Sequence, residues 1–262
     1  MTIEFASLAF MSPIEIFTWG YWGWGNHTPD LLKGVDAVEA RRRFAPPLFV
    51  DIRISRFVRA KGFSGSAFER LLGSHRYHHL PDLGNDTVLS GGTGIKIHNP
   101  AATADLLDKA IEAGRQNRRT LFFCACEFPK ECHRWAAGEL LLGEARKRGI
   151  SMVLDEWPGG EPKKATVPTP LALLKHVRSG RRSIPLPKDL DIAEWAGLPW
   201  GSAVEVRSGD ASAWVVSGPA KASAGSWWLP VFSDAVFDSA AVALEAGQVL
   251  RSKHGFGRQV VG

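Results

Sequence analysis

Only three cysteines occur among 262 residues, and all of them fall between positions 124 and 132. An odd, clustered set excludes the paired framework that staples small secreted domains and suits the reduced thiols of a cytosol, so a cytoplasmic protein is expected. Tyrosine is scarcer still, with two residues against ten tryptophans. No apolar run approaches the roughly 20 residues that span a bilayer. The stretch from Phe5 to Phe17 is broken by Ser7, Ser12, Pro13 and Glu15 and has no basic residue ahead of it, which does not read as a secretory signal. No membrane association is expected. There is no internal repeat and no heptad. With 45% hydrophobic and 23% charged residues, the chain has enough apolar content to bury a core and too little charge to stay disordered.

Charge is in mild excess, +5 overall, but it is concentrated. Between Lys33 and Arg76 ten basic residues face four acidic ones. Such a stretch suits a phosphate-bearing ligand or a polyanion, or else forms a solvated basic face.

Hydrophobic patterning divides the chain. Pro47 to Arg53, Arg76 to Leu80, Arg119 to Ala125 and Ile150 to Leu154 read as strands. Ser64 to Leu72, Asn99 to Gln116 and Cys132 to Lys147 read as helices, two of them stopped by Gly73 and Gly149. This alternation predicts an α/β layered fold with a mostly parallel sheet and flanking helices, over residues 1–156. Residues 157–170 hold four prolines and two glycines and read as a linker. Residues 171–262 read as a smaller α+β module or extension, with helices at 171–178 and 239–250 and strands at 203–207, 213–216 and 227–232.

In a parallel sheet the site is expected off the carboxyl ends of the strands. Two places fit: the loop after Asp51 and the loop after Cys124. The second holds Cys124, Cys126, Cys132, His133 and Arg134 within eleven residues, at the start of a helix. Unpaired N–H groups there favour an anion or a thiolate, so Cys132 or Cys124 is a candidate reactive thiol with His133 as its partner. Arg134 offers a planar fork for phosphate. A metal centre is not expected, because the spacing lacks a second Cys-x-x-Cys or a His pair. The segment is not a phosphatase loop either, since the residue six after Cys126 is Cys132 rather than arginine. The bland alternative has the thiols as small buried hydrophobes and a helix cap.

Asp51 and Arg53 are two apart and share one strand face. With Arg56 and Arg134 they either build a cationic pocket, Asp51 being catalytic, or tie strand ends together. His75, His78 and His79 cluster, but His78 and His79 face opposite sides of a strand. Ser90 to Lys96 fails the spacing of a phosphate-binding P-loop and reads as a flexible loop. The segment Phe17 to Gly25 interleaves Trp19, Trp22, Trp24 and Tyr21 with glycine. Trp22 and Trp24 could stack on bases, with Arg41, Arg42 and Arg43 following, or could pack in the core.

Taken in order, Val50-Asp-Ile-Arg53 with Ser55-Arg56, Phe63-Ser64, Tyr77-His-His-Leu-Pro-Asp-Leu-Gly84, Leu121-Phe-Phe-Cys124-Ala125 and Cys132-His133-Arg134 resemble the domain of unknown function family numbered 488. The likeness spans residues 44–154. It implies an α/β domain with Asp51, Arg53, Arg56, the Leu80-Pro81 and Gly84 turn, Cys124 and Cys132-His133-Arg134 at characteristic positions. It implies no reaction. The family commonly has an acid where this chain has Cys126, which puts an acid/base role there in doubt.

The functional expectation is an enzyme acting on a nucleotide, a nucleic acid base or another phosphate-bearing substrate by glycosidic cleavage or group transfer, without a cofactor. Arg53, Arg56, Cys124, Arg134, Trp22 and Trp24 would bind, and Asp51, Cys132 and His133 would react. The alternatives are a non-catalytic nucleic-acid-binding module and thiol-based sulfur or group transfer.

Overall fold

The computed structural model describes residues 13–24, 27–223 and 225–262. Phe5 to Ser12 of the N-terminal apolar stretch and Gly25 of the aromatic segment lie outside them. The strands are β1 Ile14–Gly20, β2 Ala45–Asp51, β3 Tyr77–His79, β4 Arg118–Cys124, β5 Met152–Glu156, β6 Lys164–Pro168, β7 Ser183–Pro185, β8 Ser202–Ser208, β9 Ala211–Ser217, β10 Lys221–Ser223, β11 Ser226–Pro230 and β12 Gln259–Val261. The helices are α1 Thr28–Arg41, α2 Ala67–Leu72, α3 Thr87–Ser90, α4 Thr103–Arg115, α5 His133–Arg148, α6 Leu171–Arg178, α7 Ile192–Ala196 and α8 Ala240–His254.

Six strands form the main sheet in the order β12-β5-β1-β4-β2-β3. All neighbours are parallel except β12, which runs antiparallel to β5. Its inner strands are apolar on both faces, as sheets covered on both sides require. In β2 and β4 the residues Leu48, Val50, Phe122 and Cys124 point to a core made with α4 and α5. Their neighbours Phe49, Leu121 and Phe123 point to a second core made with α1 and α2. Connections from β1 and β2 thus leave on one face, and those from β3 and β4 on the other. The crevice this opens lies at the carboxyl end of β4, beside β1 and β2.

The mixed α/β architecture and the mostly parallel sheet agree with the expectation, but of the two central strands only β4 was read in the sequence. The other, β1, runs into the start of the aromatic segment. Trp19, Tyr21 and Trp24 are therefore buried.

Residues 157–170 are not an open linker. Trp157 is fully buried, its Nε1–H donating to Glu39 Oε1 at 3.0 Å. Residues Lys164–Pro168 form β6. Prolines and glycines there shape a packed crossover between sheets. β6 pairs with β8 and β8 with β9, while β11 pairs with β10 and β7. These two small sheets share a core of their own. The extension still returns to the first unit. β12 closes one edge of the main sheet, and Arg251 on α8 donates to the Gly160 and Trp200 carbonyls at 3.1 and 3.0 Å.

Candidate functional site

Cys124 ends β4, and Cys132 caps α5 eight residues later. The turn between them brings Cys124 Sγ and Cys132 Sγ to 2.7 Å. Backbone N–H groups point at both sulfurs: Cys126 N to Cys124 Sγ at 3.3 Å, and Arg134 N to Cys132 Sγ at 3.4 Å. His133 Nε2 lies 3.1 Å from the Ile52 carbonyl, to which it donates, and Nδ1 is 3.8 Å from Cys132 Sγ. That hydrogen bond places the lone pair of a neutral ring on Nδ1, toward the sulfur.

Cys124 and Cys132 are buried, whereas Cys126 is half-exposed. The three thiols are hydrogen-bonded to one another and divide their protons unequally. Burial and the Cys126 contact push Cys124 up to about 12, and burial raises Cys132 well above the ordinary value. Hydrogen bonds from Cys124 and then Cys132 pull Cys126 down. Of the three, Cys126 is thus the thiol whose anion is most favoured, with the Arg134 charge adding to the effect. Burial opposes charge on His133, but the Cys132 sulfur and the Ile52 carbonyl outweigh it and raise its pKa.

A cavity of about 660 Å³ opens over this cluster. Its floor includes Cys124, Cys126, Cys132 and His133, and one wall is the loop after β2 with Arg53, Ile54 and Phe57. The other wall holds Val88, Gly94 and Ile95, so the Gly-rich segment flanks the mouth. Phe57, Val88 and Ile95 are all exposed.

The cationic pocket expected from three arginines is not formed, because each guanidinium is committed elsewhere. Asp51 is completely buried and takes Arg53 Nε at 2.8 Å and the Tyr77 hydroxyl at 2.7 Å. Arg53 also donates to Tyr21 Oη at 3.1 Å and to the Phe63 carbonyl at 3.0 Å. Asp51 is therefore the anchor of a buried ion pair on the sheet face away from the thiols and does not line the cavity. Arg56 pairs with Glu69 at 2.8 Å. Arg134 is fully buried, paired with Glu156 at 3.2 Å and donating to the Cys126 and Glu127 carbonyls at 2.7 and 2.8 Å. It holds the thiol loop from beneath and offers no fork to a ligand.

Nor do Trp22 and Trp24 make a stacking surface. Trp24 packs edge-on against Trp227 in the core. Trp22 is exposed, and the Lys221 ammonium sits 4.8 Å from its ring centre. The histidines separate as their alternation predicts: His79 Nε2 bonds the Arg53 carbonyl at 2.9 Å, and His78 lines a different surface cavity with Lys109.

Cys126 was read within the cluster but not as its nucleophile, although Cys-x-Cys at a strand end puts both thiols on one side. Glu127 lies in the thiol loop itself and was given no role. Glu156 and Lys221 had no local signal, since the fold alone brings them to the thiol loop.

No family model, curated protein or solved structure matches the chain. The likeness to family 488 rests on the ordered residues alone; of these, Arg53, Ser55, Cys124, Ala125, Cys132 and His133 line the cavity. Among the described residues no helix is long and apolar enough to cross a membrane.

Proposed function

We propose that the chain is a thiol-dependent group-transfer enzyme with Cys126 as its nucleophile. One observation carries this reading: of three hydrogen-bonded thiols at a sheet's carboxyl edge, Cys126 alone is half-exposed, and it opens into a cavity of small-molecule size. Cys126 sulfur attacks an electrophilic carbon of the substrate. A C–S bond forms, the bond to the leaving group breaks, and that group departs with the electron pair and takes a proton from cavity water. A second acceptor then displaces Cys126 and removes the carried group. Cys124 and Cys132 donate hydrogen bonds to the nucleophile, and Arg134 fixes its loop.

Apolar walls at Ile54, Phe57, Val58 and Ile95 suit a flat ring such as a nucleic acid base, with the Ser55 hydroxyl able to meet its polar edge. The committed arginines make a phosphate-centred site the weaker reading.

Alkylation with iodoacetamide in the presence of a chelator tests the nucleophile. Peptide mapping is expected to find Cys126 modified well before Cys124 and Cys132, and the fast phase absent in Cys126→Ser. Modification that begins at Cys124 or Cys132, or no fast phase, overturns the reading.

A further inference from the structure

We propose that Cys124, Cys132 and His133 hold a zinc ion, with Cys126 as the fourth donor on the cavity side. The inference deepens the group-transfer reading and rests on it only for the part played by Cys126.

Geometry supports the site first. Cys124 Sγ, Cys132 Sγ and the His133 ring nitrogen all lie within 4.8 Å of one another. In a tetrahedral centre with Zn–S near 2.3 Å, two sulfurs stand about 3.8 Å apart. The two buried sulfurs are 2.7 Å apart, so seating an ion asks them to part by about 1 Å. Cys126 lies outside that trio of mutually close donors, but it hydrogen-bonds with both sulfurs and is the thiol an ion would draw in as its fourth ligand.

The surroundings are those of a ligand shell. A metal-binding histidine commonly donates its other N–H to a carbonyl or carboxylate, which fixes ring and tautomer. His133 does this with Ile52 O at 3.1 Å and turns Nδ1 to the sulfurs. Backbone N–H groups of Cys126 and Arg134 point at the Cys124 and Cys132 sulfurs, as they would at coordinated thiolates. Arg134 lies beneath, charge-paired with Glu156, and offsets part of the negative charge.

Donor chemistry selects the ion. Thiolate and imidazole suit zinc, whereas calcium and magnesium take oxygen donors. The spacing that disfavours zinc in the sequence assumes paired Cys-x-x-Cys knuckles. Here one strand end and one helix start supply all four donors from a single turn. In the group-transfer reading, zinc would keep Cys126 deprotonated while leaving it the most accessible ligand.

The test is titration of chelator-stripped protein with cobalt(II) under anaerobic, reducing conditions. One equivalent is expected to bind with the visible bands of tetrahedral cobalt and a thiolate-to-cobalt charge-transfer band, and zinc is expected to displace it. Cys124→Ser and Cys132→Ser should each weaken binding by more than the roughly 10–100-fold cost of losing an outer hydrogen bond, and Cys126→Ser should reduce the charge-transfer band. Should a variant not fold, wild-type protein decides alone: zinc must add one metal mass in native mass spectrometry and must protect Cys124 and Cys132 from alkylation. Substoichiometric binding, or a charge-transfer band unchanged in Cys124→Ser and Cys132→Ser, overturns the proposal. Fast alkylation of Cys126 in chelator with no cobalt site would leave the nucleophile without the metal. A cobalt site with an unreactive Cys126 would leave the metal without the nucleophile.

Discussion

Arg53 shows how much one side chain can be asked to do in a core. Its guanidinium reaches both Asp51 oxygens, the Tyr21 hydroxyl and the Phe63 carbonyl, while lying over the Tyr21 and Phe123 rings at 5.2 and 5.6 Å. A group so fully engaged stabilises by being complete, and removing one member leaves a buried charge alone. Asp51→Asn is therefore expected to cost about 3–5 kcal/mol in urea unfolding, and a loss below about 1 kcal/mol would show that the pair is not buried as described. The tryptophans divide in the same measurement. Trp24 is 2% exposed and Trp22 53%. Trp24→Ala should cost about 3–5 kcal/mol, with Trp22→Ala clearly less. Equal costs would contradict the placement of Trp24 in the core.

At the scale of elements, the site depends on how closely β1 approaches the thiol loop. A Cβ on Gly20, at the end of β1, would fall 1.9 Å from the Cys126 carbonyl and 3.0 Å from an Arg134 nitrogen. The first of these is backbone and cannot swing away. Gly20→Ala is expected to destabilise the protein by about 1–3 kcal/mol and to change the alkylation rate of Cys126, because the loop must shift. An unchanged rate in a folded variant would detach β1 from the site. Gly84 plays the same part beneath the loop after β2, where a Cβ would meet Ile54 N at 2.5 Å. These dependencies explain what could be read in the sequence. β2, β4, α4 and α5 were legible because buried parallel strands are unbroken apolar runs and α4 repeats Leu106, Leu107, Ala110 at helical spacing. β1 was not, since Glu15, Thr18 and Gly20 break its pattern. Each break has a partner elsewhere: Glu15 takes Arg119, Thr18 donates to Glu156, and Gly20 makes room for the loop. The thiol cluster was legible as a cluster. Which thiol faces the cavity and which arginines are free were not, because Glu156, Glu69 and Tyr77 decide them from other elements.

On the scale of the whole molecule, Lys221 joins the extension to the site. It reaches from β10 into the first unit, donates to the Trp22 carbonyl at 3.0 Å and pairs with Glu127, next to Cys126, at 3.4 Å. Glu127 and, farther off, Glu156 are the acids acting on it, and the Trp22, Trp200 and Trp228 rings surround it. Burial nevertheless wins and lowers its pKa from 10.5 to about 8. The folded protein thus releases this proton near pH 8, while the unfolded chain keeps it until about 10.5. Between those values the unfolded state binds the extra proton, so stability rises with pH, and below pH 8 the full cost of the buried charge is present. Lys221→Met removes the titration but leaves Glu127 without its ion pair, so the absolute stability of the variant is less informative than its trend. The wild type should gain on the variant by about 1.5 kcal/mol between pH 8 and pH 9.5 in paired urea unfolding curves. Other lysines and tyrosines titrate in both proteins and cancel in the difference. A difference that stays flat across this range would place Lys221 in water and cut the link between the extension and the loop that carries Cys126.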